Sequence, residues 1–193
     1  MRVISGKYKG RQLKGPVGLE IRPTGDRLKE TLFNILGTKT SGAVMLDVFG
    51  GTGAIGIEAL SRGAKEVVFI EVATTAQKLI QRNIKTCGIE GGHKILAKDV
   101  FTALRALARQ GFDADLAFFD PPYEFKPYDD LLEIAFDRRL LAVHGIAIIE
   151  HHRKALLPET GKTYRRSRIV RQGDHCLSFY EYCVEARSQE QGA

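Results

Sequence analysis

Ala43-Val44-Met45-Leu46-Asp47-Val48-Phe49-Gly50-Gly51-Thr52-Gly53-Ala54-Ile55-Gly56 is the stretch that decides the fold. Its first half is an apolar run, the pattern of a strand buried on both faces of a parallel sheet. Its second half is a glycine turn, with Gly51, Gly53 and Gly56 at the spacing of a dinucleotide fingerprint. Glycines at those places let the backbone turn tightly and approach a ligand. Glu71 lies 20 residues beyond Gly51, at the end of the next predicted strand. A carboxylate there accepts from ribose hydroxyls. The stretch predicts a strand, a turn and a helix that together hold a nucleoside-containing cofactor.

Working outward, apolar runs and helical spacings alternate. Strands are expected near 44–48, 67–70, 94–97, 115–119 and 146–149, and helices near 54–61, 73–86, 100–108 and 128–137. That order predicts an α/β fold with a largely parallel sheet. Two extended stretches near 163–170 and 176–184 flank Gln172-Gly173-Asp174, a hairpin signal and so an antiparallel edge. Upstream, residues 2–5 and 11–13 suggest short strands around the turn at 6–10. Arg22-Pro23-Thr24-Gly25-Asp26 then opens a helix carried by Leu28, Leu32, Ile35 and Leu36. The expected organisation is a basic hairpin-and-helix extension over 1–40, a core domain over 41–185, and a polar tail over 186–193.

The chain has 193 residues, 44% hydrophobic and 27% charged. That composition is globular and leaves room for a real core. No apolar run reaches the roughly 18–20 residues that span a bilayer, so no membrane partner is expected. The N-terminus lacks the apolar core of a signal peptide. Three cysteines without CxxC spacing argue against a zinc site or a disulfide framework; they suit a reducing cytoplasm and no metal. Residues 1–40 hold nine Lys/Arg against three Asp/Glu, so the whole net charge of +6 resides there. Localised positive charge fits a polyanionic partner gripped through its phosphates.

A second motif, Asp120-Pro121-Pro122-Tyr123, follows the apolar run Leu116-Ala117-Phe118-Phe119. Two prolines remove backbone donors, so the strand cannot continue, and each stiffens the residue before it. The outcome is a rigid strand exit presenting a carboxylate, a proline carbonyl and an aromatic ring. Those are the groups needed to hold a planar ring bearing an exocyclic amino group. Asp47, at a strand end, would repel an entering pyrophosphate but suits a ligand's ammonium group. Nothing resembles a separate domain with a hydride-handling His and Arg. Both points favour S-adenosylmethionine over a nicotinamide dinucleotide. Asp99, ahead of Val100, is placed to accept from an adenine amino group. His151-His152 lacks a companion nucleophile and is expected at an edge or surface. Phe179-Tyr180 is expected to pack rather than to hold a base.

Taken together, Asp-x-Phe-x-Gly-x-Gly, the acids ending strands two and three, and Asp-Pro-Pro-Tyr resemble the S-adenosylmethionine-dependent amino-methyltransferases. More narrowly, the chain resembles the bacterial 16S ribosomal RNA guanine-N2 methyltransferases that act on guanine 966. The narrower markers are Arg22-Pro23-Thr24, Asp26-Arg27, Glu30-Thr31-Leu32-Phe33-Asn34 and Glu58-Ala59-Leu60-Ser61-Arg62-Gly63-Ala64. Gly25 and Gly50-Gly51-Thr52 depart mildly from the family's usual Thr and Ala-Gly-Ser. The resemblance implies a Rossmann-like seven-stranded sheet and action on 16S rRNA in an assembling 30S subunit; a monomer is the default expectation. It implies cofactor contacts from Asp47, Phe49, Gly50, Gly51, Thr52, Gly53, Glu71, Asp99 and Val100. It implies chemistry at Asp120, Pro121, Pro122 and Tyr123, and RNA contacts from Lys9, Arg11, Arg22, Thr24 and Arg27. A DNA adenine or cytosine amino-methyltransferase and a non-catalytic nucleic-acid-binding module are the competing readings. The first usually carries a recognition insertion for which this core has no room.

Overall fold

The first core strand, β1 (Val44–Val48), is buried along almost its whole length, as its unbroken apolar run requires. In a computed structural model that describes residues 1–15 and 23–183, the chain divides into two compact units, Met1–Val100 and Phe101–Ala193. The seven strands follow the order β3-β2-β1-β4-β5-β7-β6 in one sheet.

In the first unit, β1 pairs in parallel with β2 (Glu66–Ile70), and β2 with β3 (His93–Leu96). Helix α1 (Pro23–Leu36) precedes them, with proline at the first helical position, where its missing N–H costs nothing. Helix α2 (Ala54–Ser61) joins β1 to β2, and α3 (Thr74–Cys87) joins β2 to β3. α3 buries Ile80, Asn83, Ile84 and Cys87, one stripe at helical spacing. Gly56 on α2 lies against β2: a Cβ there would stand 2.3 Å from the Phe69 ring. The glycine is what lets the helix settle on the strand. Phe69 is fully buried, a burial that contributes about 1.5–3 kcal/mol.

The N-terminal segment packs on the same unit. Its expected pair of strands reduces to a single bridge, Arg2 with Gln12. Turns at Gly6 and Gly10 curl the intervening chain, and Val3 and Leu13 face inward, almost wholly buried. Backbone bonds still cross between its arms, from Val3 N–H to the Arg11 carbonyl (3.0 Å), Gly10 N–H to the Val3 carbonyl (2.9 Å) and Leu13 N–H to the Met1 carbonyl (3.0 Å), and the segment is also held by α2. Glu58, fully buried, accepts from the backbone N–H of Ile4 (2.7 Å) and of Ser5 (3.0 Å). The Ser61 carbonyl accepts from Lys7 N–H at 2.8 Å, and Ser61 Oγ donates to the Ser5 carbonyl at 2.5 Å. Gly6 is in the left-handed region (φ 80°), and a Cβ there would lie 1.8 Å from the Ser61 oxygen. Partners supplied by a distant helix thus complete a short hairpin ladder at Ile4, Ser5 and Lys7.

The second unit comprises α4 (Val100–Arg109), which begins at the division, and then β4 (Ala114–Phe119) and α5 (Tyr128–Phe136). β5 (Leu141–His152), β6 (Tyr164–Gln172) and β7 (His175–Tyr182) follow. β4 and β5 are parallel, whereas β7 runs antiparallel to both β5 and β6. The expected hairpin is therefore present, with β6 at the margin. β5 is much longer than the expected 146–149, because Ala147–His152 continue along β7. Its earlier residues are broken in sequence by His144-Gly145, which hid them from periodicity. The tail over 186–193 lies outside the described residues.

Candidate active site

After β1 the backbone leaves the sheet at Phe49, whose φ of 63° is unusual for a residue with a side chain. Phe49 and Gly50 N–H both donate to the Ile70 carbonyl, at 3.0 and 3.2 Å. Gly51 and Gly53 are left-handed, and Gly53 N–H closes the turn on the Gly50 carbonyl at 2.7 Å. Asp47 is buried, and its Oδ2 accepts Gly56 N–H at 2.9 Å, satisfying one of the orphan donors that start α2. Glu71 Oε2 accepts Gly51 N–H at 3.0 Å and Oε1 accepts Ala73 N–H at 2.8 Å. So the acid twenty residues away straps the glycine bend to the end of β2. An ionised carboxylate has about four lone-pair sites, which leaves acceptor capacity on both Glu71 oxygens. Beside it Val72 is 66% exposed, an apolar surface that a flat ring can cover. Asp99 is exposed, one residue ahead of the buried Val100 that begins α4.

Two buried polar supports of this unit escaped the sequence reading. Asn83 of α3 is fully buried; its Nδ2 donates to the Thr52 carbonyl (2.9 Å) and the Lys14 carbonyl (3.0 Å), and its Oδ1 accepts Lys14 N–H (2.8 Å). Thr52 Oγ1 also approaches Met1 Sδ at 3.7 Å. The glycine bend and the N-terminal segment therefore share one amide side chain. Glu58 is the other, since it anchors the N-terminal segment. It also meets Arg62 Nε at 2.8 Å and Lys29 Nζ at 3.5 Å. Lys29 Nζ, itself buried, donates to the Arg2 carbonyl at 2.6 Å. Burial lowers the Lys29 pKa, with Glu58 and Asp26 opposing. A polar residue within an apolar helical stripe was the available signal for both.

In the second unit, β4 ends at Phe119 and the chain turns through Asp120-Pro121-Pro122-Tyr123. Pro121 is buried, and the Pro122 carbonyl accepts Phe125 N–H at 2.9 Å, which locks the corner. Tyr123 is 75% exposed, its ring edge-on to His152 at 5.3 Å. Phe125 meets Phe101 and Tyr128 at 6.2 and 5.3 Å. Tyr123, Phe125, His152, Lys126, Lys154 and Leu156 line a pocket here.

Asp120 keeps a surface open to water even though protein crowds round it. That crowding, and then the charge of Glu150, pushes its carboxyl well above the ordinary carboxylate range, with His175 opposing. Burial likewise pushes Glu150 up, to about 7. His175 Nδ1 lies 3.0 Å from Glu150 Oε1. Glu150 and His175 were not singled out from sequence, because only the β5–β7 register brings them together.

His151 does not take the edge or surface place expected of it. It is buried in β5, two strands in from the margin, with Nδ1 2.9 Å from the His152 carbonyl and Nε2 2.9 Å from Ser178 Oγ. Nδ1 must then donate and Nε2 accept, and burial lowers its pKa. Phe179 and Tyr180 are buried packing residues. Of the basic residues, Lys9, Arg11 and Arg27 are exposed. Arg22 and the side chain of Thr24 lie outside the described residues. Among the described residues no group of His, Cys, Asp and Glu could hold a metal ion, and no helix is long and apolar enough to cross a membrane.

Residues 1–181 match the family described as "Conserved hypothetical protein 95". The chain is 32% identical over 188 residues to "Ribosomal RNA small subunit methyltransferase D" of Escherichia coli (strain K12), covering 97% of this chain and 93% of that one. It is similar in structure to protein TTHA0928 of Thermus thermophilus, with a TM-score of 0.78 and 27% identity over 94% of this chain and 99% of that one. It also shares its fold with SMU.776, which was crystallised with SAH, at a TM-score of 0.69 and 16% identity. That match covers 84% of this chain and 50% of the other.

Proposed function

The chain belongs to the Conserved hypothetical protein 95 family, and on that premise we propose that it transfers a methyl group from S-adenosylmethionine to the exocyclic N2 of a guanine in 16S ribosomal RNA, with guanine 966 as the target. The relative named for small-subunit ribosomal RNA methylation supports the RNA class. The observation that carries the reading is the corner at the end of β4: a crowded carboxylate, a proline carbonyl and a ring that is 75% exposed.

An exocyclic amine on guanine is a poor nucleophile, because its lone pair is shared with the ring. In this reading Asp120 Oδ and the Pro121 carbonyl accept its two N–H bonds and favour a tetrahedral nitrogen. The Asp120 charge then stabilises the positive charge that develops on that nitrogen, a preorganised electrostatic effect. Tyr123 stacks on the base, worth about 1–3 kcal/mol. Holding two reactants in register supplies roughly 7–11 kcal/mol of the barrier. Pairing hides the amine, so the target base is flipped out or already unpaired.

The cofactor, when bound, supplies an electrophilic methyl group on a sulfonium. The first unit fits such a ligand. Gly50, Gly51, Thr52 and Gly53 allow close approach, Glu71 retains acceptor sites for ribose hydroxyls, and Val72 offers a flat apolar surface. Asp99 and Val100 receive the adenine, and Phe49 and Asp47 fix the bend. Lys9, Arg11, Arg22, Thr24 and Arg27 hold phosphates and sugars, in keeping with the positive charge of residues 1–40.

The test is incubation with tritiated cofactor and, separately, 16S RNA, 30S particles or DNA, followed by nuclease digestion and nucleoside mass spectrometry. The expected product is N2-methylguanosine from RNA or particles. Label in DNA adenine or cytosine, or none anywhere, defeats the reading.

A further inference from the structure

We propose that Glu150 and His175 form a relay that carries the proton released by the methylated amine from Asp120 to solvent; this rests on the methyltransferase reading above. The geometry begins with the strands. β4 and β5 are parallel, with Phe119 paired to Ile149, so the next residues, Asp120 and Glu150, emerge side by side. Equivalent positions on neighbouring strands face the same side of a sheet. β7 runs antiparallel to β5 and places His175 opposite His152. From there its Nδ1 reaches back to Glu150 Oε1 at 3.0 Å. The Glu150 side chain is only 18% exposed, whereas that of His175 is 37% exposed. The line therefore runs from the corner, through a shielded acid, to a ring in contact with water.

The chemistry needs such a line. The nitrogen lone pair forms the new N–C bond as the S–C bond breaks, and the bonding pair stays on sulfur as a neutral thioether. The nitrogen is left positive with one proton too many. That proton passes to Asp120, a proton moves on to Glu150 and then to His175 Nδ1, Nε2–H releases one to water, and proton exchange with solvent returns the ring to its Nε2–H tautomer. No co-reactant is required, and each carboxylate returns to its starting state.

A purely structural Glu–His pair joining two strands would be better placed away from a second acid. Here the Glu150 charge acts on Asp120 and raises its pKa, and burial raises that of Glu150. Two neighbouring carboxyls so placed favour sharing one proton. The other titratable groups around them are Tyr128 of α5, on which the Asp120 charge acts, and His152, two residues along β5. Arg153, next to His152, is paired with Asp174 at 2.9 Å.

The experiment compares single-turnover methyl transfer by wild type, Glu150→Gln and His175→Ala across pH, with cofactor affinity measured alongside to show that the fold persists. Removing a group that moves a proton costs about 10²-fold or more, and that loss of maximal rate is expected for Glu150→Gln. Removing the Glu150 charge also lets Asp120 lose its proton more readily, so the acidic limb of the rate profile moves to lower pH. His175→Ala should slow and be restored by added imidazole, while cofactor affinity is unchanged in both. An active wild type whose Glu150→Gln variant keeps its rate and profile overturns the relay alone, as does a His175→Ala variant indifferent to imidazole. A wild type silent on every RNA overturns the methyltransferase reading, and the relay falls with it.

Discussion

Asp120 occupies a place where its negative charge is unfavourable, and the consequence for stability has a definite sign. Its carboxyl pKa is raised from an ordinary 3.8 to about 8. Between those values the folded protein binds more protons than the unfolded chain, so stability falls as pH rises through that window. Asp120→Asn removes the penalty. Its melting temperature should match wild type near the acid end of the window and exceed it increasingly towards about pH 8, as calorimetry at several pH values will show. The same variant should lose methyl transfer, the exchange of stability for activity expected at functional sites. A flat difference across pH would mean that the acid is not crowded in the way described.

At the scale of elements, the segment ahead of α1 and helix α2 are joined through Glu58. Glu58→Ala leaves Arg62 without its acid and Lys29 with only Asp26 at 3.9 Å, and strips the acceptor from Ile4 and Ser5. Breaking one partner of a buried ion pair costs about 3–5 kcal/mol, a loss that denaturant titration should register. Amide exchange at Ile4 and Ser5 should also quicken. This clamp marks the limit of what the chain's order reveals. β1, the glycine bend and Glu71 are legible because local spacing dictates them, and so is the proline corner. Asn83, Glu58, Glu150 and His175 are not, since each acts on residues brought close only by the fold. Glu58 and Asn83 hide as polar positions within helical stripes. His175 meets Glu150 through strand register, which a one-residue slip would abolish. The early pair of strands was legible and forms a short ladder, but a helix supplies the partners of Ile4 and Ser5.

Over the whole molecule, the net charge of +6 comes from residues 1–40, and Arg11 and Arg27 are exposed there. Further along, Arg153 and Arg166 are paired with Asp174 and Glu159. RNA affinity should therefore fall steeply with salt. Neutralising Arg11 or Arg27 should weaken binding across sequences and reduce the slope of log affinity against log salt by about one for each phosphate no longer gripped. Filter binding at several ionic strengths checks this, with cofactor affinity unaffected. Gly6 has a different bearing on such experiments. Any side chain there collides with the Ser61 backbone oxygen, so in a saturation library scored by ribosome modification this position will look as intolerant as a reactive group. Its intolerance is steric, and a map of mutational sensitivity will overstate the catalytic centre unless protein abundance is scored in parallel.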